Sequence, residues 1–421
     1  MNRRFSDEKM DKWLTIIGNA VSGVSLDDIS IKPDNFDWME FFKICVNNNV
    51  TAFVYTAINN SKVKNDVSSE ILEEWKQVSQ SIMKRQIMTY VQLRNVLSAL
   101  DGQLLVFFKG VVLANLYPNY LERSSCDSDI WVPQEQYAKT QQSLLDLGYV
   151  KDEESSKPQV GVYYHSQFRH TIELHIFLWE DYTGKKIDIL SSMDLTKRES
   201  LIEIDACGMH FTTLGHTEHL IYQMFHIIKH FSLQGIGIKY LADISLFINA
   251  YESQIDWNRF WDSMDRLGYT KFCNNFFDIC SKYFHMCSVT QEENKAQWKL
   301  TDDKLWAFIE DLFMKGVIEE GSANWQIFGA MTPYFTGEYS APKEEWRKKL
   351  LILFPSRKSL PNNYGYAKKC PLLLPIAWIH RFILFAIHRR EDKDSTYNAS
   401  QKMNVTKYRL QMMESMGLME E

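Results

Sequence analysis

Ser125-Cys126-Asp127-Ser128-Asp129-Ile130-Trp131-Val132 places two aspartates one residue apart at the head of an apolar run. The run reads as a strand. Successive strand side chains face opposite ways, so Asp127 and Asp129 leave the same face. Two neighbouring, half-buried carboxylates repel each other and lose hydration, and a cation between them relieves both costs. Mg²⁺ suits the position because it takes oxygen ligands and combines one or two carboxylates with substrate phosphates. The plainer alternative makes Asp127 a turn residue and Asp129 the first charge of a strand. The flanking sequence favours the cation.

Upstream, Leu104-Leu105-Val106-Phe107-Phe108 reads as a strand buried on both faces, and it runs into Lys109-Gly110. Val111 to Tyr117 then has helical character and Pro118 closes it. A glycine between strand and helix permits a tight turn and lets a phosphate approach the helix N-terminus. Lys109 adds a point charge for that phosphate, although an ordinary β–α turn with a surface lysine has the same spelling. Downstream, Thr171-Ile172-Glu173-Leu174-His175-Ile176 alternates, with Glu173 and His175 on one face and the aliphatic residues on the other. Beside the aspartate strand, Glu173 becomes a third acid that binds metal or takes a proton from an attacking hydroxyl. Glu135 to Gly148 reads as the intervening helix.

In this order the residues resemble the nucleotidyltransferase superfamily, whose core is the DNA-polymerase-β-like palm. More narrowly they resemble a bacterial family of uncharacterised nucleotidyltransferases. The features carrying the resemblance are Lys109-Gly110, Arg123 ahead of Asp127 and Asp129, Leu147-Gly148-Tyr149, and Glu173 with His175. His226, Lys229 and His230 on a later helix complete it, with Asp243 in Lys239-Tyr240-Leu241-Ala242-Asp243-Ile244. The similarity is clear over roughly residues 104–248 and weaker at Leu353-Phe354-Pro355 and Pro371-Leu372-Leu373-Leu374-Pro375. In the wider superfamily Gly110 would be followed by Ser or Gly; here Val111 follows, and the distance to Asp127 is long.

The resemblance implies transfer of a nucleoside monophosphate from an NTP, ATP first among them, to an acceptor hydroxyl. It implies Asp127, Asp129 and Glu173 as catalytic residues and ligands of one or two Mg²⁺ ions, with Mn²⁺ as an alternative. It implies Lys109, Gly110, Arg123, His175, His226, Lys229, His230, Lys239 and Asp243 as nucleotide-binding. The acceptor is open between a small molecule, a sugar phosphate, a peptide and a protein. His219, Gln223, His226 and His230 share one helical face, which looks out at solvent or in at a ligand. His226 and His230 have zinc spacing, but the glutamate of H-E-x-x-H is missing. Asp243 is expected to orient a histidine or to pair with Lys229 or Lys239.

The 421 residues carry 47 basic and 53 acidic side chains, a net charge of −6 without a basic block, which argues against a polynucleotide partner. Apolar residues make up 45% and aromatic ones 14%, the composition of a folded globular chain. Seven cysteines without a C-x-x-C pair read as reduced thiols, with Cys273, Cys280 and Cys287 along one core-facing helical stripe. Charges interrupt the N-terminus before any signal-like run, and no apolar run is long enough to cross a membrane, so a cytoplasmic protein is expected. Cys370 to Ile387, the nearest candidate, contains His380, Arg381 and two prolines.

The expected fold is α+β: a palm-like mixed sheet among large helical regions. The expected division is a helical region at 1–100, an α/β core at 101–214, a helical region over the active site at 215–290, and a mostly helical remainder at 291–421. Asp37 to Asn47 and Ser69 to Leu100 read as helices, and Leu201–Ile204 with His210–Thr213 as a hairpin through Ala206-Cys207-Gly208. Gln291 to Lys304 reads as a linker or exposed helix, and Leu360 to Gly365 as a loop. Two other functions fit the same pattern: a nucleotide-binding regulator without turnover, and a helical interaction module on a degenerate palm. The complete acid set favours the enzyme, because unpaired carboxylates are costly where no metal needs them.

Overall fold

The acidic strand becomes the middle of a seven-stranded mixed sheet in a computed structural model of the protein. The structure describes residues 4–29, 36–125, 127–179, 185–233, 235–289, 298–315, 364–391 and 411–418, with 354, 357 and 360 as single positions. Cys126 and parts of the 291–304, 353–355 and 360–365 segments lie outside the described residues.

The strands are β1 (Val106–Phe108), β2 (Asp127–Trp131), β3 (Val150–Lys157), β4 (Val160–His165), β5 (His170–His175), β6 (Leu201–Ala206) and β7 (Met209–Leu214). Their spatial order is β3-β4-β5-β2-β1-β7-β6. The β2 strand runs parallel to β5 on one side and antiparallel to β1 on the other. Asp129 therefore stands between Glu173 and Phe108. The expected hairpin is β6–β7, closed by Cys207 (φ 51°) and Gly208 (φ 73°), the two left-handed residues that a tight hairpin turn needs.

The helices are α1 (Asp7–Ser22), α2 (Trp38–Asn47), α3 (Thr51–Asn59), α4 (Ser69–Ala99), α5 (Gly110–Ala114), α6 (Gln134–Asp146) and α7 (Lys185–Ser192). They continue as α8 (His216–Leu233), α9 (Lys239–Tyr251), α10 (Trp257–Arg266), α11 (Thr270–Tyr283), α12 (Asp302–Phe313), α13 (Gly365–Lys369) and α14 (Leu374–Glu391). Side-chain caps set several starts. Asp37 Oδ1 accepts from the Glu40 N–H at 2.8 Å, and Asp256 Oδ1 from the Arg259 N–H at 3.0 Å. The helix expected to reach Tyr117 stops at Ala114, because Asn115 turns to the β6–β7 hairpin. Its Oδ1 accepts from the Cys207 N–H at 3.2 Å. Cys273 and Cys280 are buried on α11, but Cys287 lies beyond the helix end and is exposed, so the stripe has two members.

The two sheet faces bury different cores. Phe107, Ile130, Ile172 and Leu174 point into a smaller cluster with the C-terminal half of α4 (Leu93, Val96) and with Leu144, Tyr149 and Tyr163. Val106 and Phe108 point the other way, into a large cluster built from α1–α3, α8–α12 and Met412–Leu418. The acids share that second face. No described helix is long and apolar enough to cross a membrane.

The α1–α11 contact leaves no room for a side chain at Gly18, where an added Cβ would meet the Tyr283 carbonyl oxygen at 1.8 Å. Gly18→Ala should therefore push the helices apart and lower stability by about 1–3 kcal/mol, read as the shift in a urea or thermal unfolding curve. An unchanged midpoint would contradict this packing.

Candidate active site

Strand register assembles the acidic face. Asp129 pairs with Glu173, and Trp131 with His175, across the parallel β2–β5 ladder, so Asp127, Asp129, Glu173 and His175 all leave one side of the sheet. One ligand atom from each of Asp129, Glu173 and His175 falls within 4.8 Å of the others. His175 Nε2 lies 3.5 Å from Asp129 Oδ1 and 3.6 Å from Glu173 Oε2, at the outer limit of hydrogen bonding. Among the described residues, both nitrogens of the buried His175 ring lack hydrogen-bond partners, and Asp129 Oδ1 lacks one too. Lys109 Nζ approaches it to 2.6 Å, off the angles of a hydrogen bond, which makes the contact an ion pair. Unsatisfied donor and acceptor atoms converging at one point are the feature a metal ligand set requires, and these residues fit one.

The electrostatics are coupled. Burial drives the Asp129 carboxyl toward neutrality, but Lys109 and His175 outweigh it and hold its pKa below the ordinary value. Burial followed by the Asp129 charge pushes Asp127 up, against the pull of Lys109 and Lys239. Burial likewise disfavours charged Lys109 and charged His175, and the surrounding carboxylates reverse the sign in both, raising their pKa values.

A second group stands behind the Gly110 turn. The buried Arg123 guanidinium donates from Nε to Asp243 Oδ1 at 2.7 Å, from a terminal nitrogen to Asp243 Oδ2 at 2.9 Å, and from the other to the Gly110 carbonyl at 3.2 Å. The Tyr117 hydroxyl donates to Asp243 Oδ1 at 2.8 Å. Burial opposes the Asp243 charge and Arg123 more than offsets it, so the carboxyl stays below its ordinary range. The two residues expected to contact nucleotide are thus each other's main partner, and together they hold the turn. Lys239 donates to the Ser124 carbonyl at 3.1 Å, which ties α9 to the approach of β2.

Helix α8 covers the acidic face. The Tyr222 ring packs 4.9 Å from Phe108, and His226 stands between Tyr222 (6.0 Å) and Tyr240 (6.4 Å), with the His230 ring at 4.2 Å. Lys229 is buried on the same helix. Burial, reinforced by Lys109, holds His226 well below its ordinary pKa, so it is a neutral ring. His219 Nε2 accepts the Lys109 backbone N–H at 3.2 Å, which fixes its Nδ1–H tautomer. Burial lowers His219 to about 3. The expected histidine face therefore looks inward at the site. His175, expected among the nucleotide contacts, also stands with the acids as a ligand candidate. Its place two residues after Glu173 carried that information. Tyr117, Tyr222 and Tyr240 were not anticipated, since an aromatic on an apolar helix reads as core.

The model of the uncharacterised nucleotidyltransferase family matches residues 34–285, and the chain belongs to that family. Neither a curated protein nor a solved structure matches it.

Removing the Asp243 charge leaves Arg123 buried and uncompensated, so Asp243→Asn should cost about 3–5 kcal/mol in denaturant unfolding. Because the Asp243 pKa is depressed by folding, its contribution is complete above the ordinary carboxylate pKa and disappears as pH falls through the lower, folded value. The acid limb of stability against pH should be flatter in the variant, and equal limbs would refute the pairing. The histidines give a separate limb. Burial lowers His170 to about 4 and His219 to about 3, whereas an unfolded imidazole takes its proton near about 6.5. Between those values the unfolded chain holds more protons, so stability should fall below about pH 6.5. Each histidine contributes up to about 1.4 kcal/mol per pH unit. Thermal midpoints of His219→Gln across that range should show a slope smaller by one proton.

Proposed function

We propose that the protein is a divalent-metal-dependent nucleotidyltransferase that moves a nucleoside monophosphate from an NTP to an acceptor hydroxyl. The observation carrying this reading is the register that sets Asp129 opposite Glu173 and brings His175 to the same point with unpartnered ring nitrogens. Asp129, Glu173 and His175, with Asp127 beside them, would hold the metal. An imidazole among carboxylates serves Mn²⁺ at least as well as Mg²⁺. The metal's contribution when bound is to neutralise charge on the triphosphate.

The residues of the chain account for the remainder. The acceptor oxygen forms a bond to the α-phosphorus while the bond from that phosphorus to the bridging oxygen breaks, and pyrophosphate leaves with the electron pair. Glu173, whose side chain keeps 31% exposure, is the carboxylate that meets an incoming acceptor and takes its proton. Lys109 supplies positive charge for the phosphates at the Gly110 turn. Arg123 and Asp243 position that turn. Tyr222, His226 and Tyr240 offer a neutral aromatic wall for the base, which suits ATP first, and Lys229, His230 and Lys239 sit along the same two helices.

One observation favours a second reading, a nucleotide-binding regulator without turnover: the Lys109 ammonium already neutralises Asp129. The two readings separate in one experiment. Each NTP is titrated into the protein with and without Mg²⁺ or Mn²⁺, and α-phosphate label is then followed into product. Metal-dependent binding with transfer is expected, and Asp129→Asn should lose at least about 100-fold in transfer. Nucleotide affinity indifferent to both metal and the substitution would remove the site assignment. Binding without transfer across acceptor classes would select the regulator.

A further inference from the structure

Lys109 is placed at a backbone cost. Its φ of 60° and ψ of −132° lie in a region that side-chain-bearing residues avoid, and such residues persist where the surrounding structure holds them. The restraints are visible on both sides. His219 accepts the Lys109 N–H, and Arg123 donates to the carbonyl of Gly110. The backbone is pinned and only the flexible side chain is left to move. That side chain enters the acidic face, where Nζ sits 2.6 Å from Asp129 Oδ1 and 5.8 Å from each of the Phe108 and Tyr222 rings.

We propose that Lys109 is a resident stand-in for the metal: its ammonium occupies the cation position beside Asp129, and it transfers to the triphosphate when metal and nucleotide arrive together. The proposal rests on the reading of this cleft as a metal–nucleotide site. A metal held by Asp129 would stand beside the Lys109 ammonium, which lies 2.6 Å from the same oxygen, and two cations so close in buried surroundings repel strongly. Metal alone must therefore displace an ion-paired lysine. Metal with a triphosphate gives the displaced ammonium a new anionic partner, and the two aromatic faces flank its path. Without the lysine, a carboxylate with 2% side-chain exposure would keep only the more distant His175 to offset its charge between bindings. The arrangement makes metal and nucleotide binding mutually dependent.

The test measures Mn²⁺ binding by electron paramagnetic resonance, with and without a non-hydrolysable ATP analogue, for wild type, Lys109→Met and Lys109→Arg. Wild type should bind Mn²⁺ weakly alone and at least about tenfold tighter with the analogue. Lys109→Met should bind Mn²⁺ alone at least about tenfold tighter than wild type, with most of the synergy lost, and Lys109→Arg should keep the wild-type pattern. Mn²⁺ binding by Lys109→Met no tighter than wild type, while both bind it with the analogue, would overturn the stand-in and leave the metal site intact. No Mn²⁺ bound by any of the proteins, with or without the analogue, would remove the site reading and this inference with it. If Lys109→Met does not fold, wild type decides alone: binding of Mn²⁺ independent of the analogue overturns the proposal.

Discussion

Three carboxylates projecting from adjacent strands of one sheet face repel one another, and burial strengthens the repulsion. The surroundings of β2 and β5 answer that constraint. Lys109 pairs with Asp129, His175 lies between Asp129 and Glu173, and Lys239 lowers the cost at Asp127. Even so, Asp127 stays raised, and among the described residues two His175 nitrogens and one Asp129 oxygen remain without hydrogen bonds. A fold that wanted only stability would place apolar residues here. Such residual frustration is what a group that could hold a further cation would show.

The scaffold behind the acids is correspondingly stiff. On the opposite face of the sheet, Ser128, from between the two aspartates, bonds to His170 Nε2 at 2.9 Å, and His170 Nδ1 bonds to the Tyr149 hydroxyl at 2.7 Å. These buried contacts lock the side of β2 that faces away from the acids, and slippage by one residue would exchange the two faces. The Arg123–Asp243 pair does the same for the turn between β1 and α5, tying it to α9 across the large core. Register and turn are thus fixed independently of each other, and the acidic face depends on both.

Much of this was legible in the residues. Alternation in Thr171–Ile176 and the D-x-D spacing gave the correct faces, and pairing of the two strands followed once Glu173 was sought as a third acid. The β6–β7 hairpin, the long α4 and the shared histidine face of α8 were likewise readable from turn residues and helical spacing, although spacing left open whether that face looks in or out. Two kinds of feature escaped. The β3 strand, Lys151-Asp152-Glu153-Glu154-Ser155-Ser156 within it, has no apolar alternation because it is an exposed sheet edge, where charge discourages pairing with other chains. The other kind depends on partners far apart in the chain. Arg123 and Asp243 each read as ligand contacts, since nothing local reveals that residues so distant in sequence meet. His175 was read toward nucleotide because the acids alone suggested an all-oxygen ligand set.

The central claim is that Asp129, Glu173 and His175 converge on one divalent cation. The most direct measurement is an anomalous-difference map from crystals grown with MnCl₂ and a non-hydrolysable nucleotide. The account predicts a peak roughly 2 Å from an Asp129 carboxylate oxygen and within coordinating distance of Glu173 and His175, with triphosphate oxygens completing the shell. Ordered nucleotide with no peak on that sheet face, or a peak held by other side chains, would contradict it.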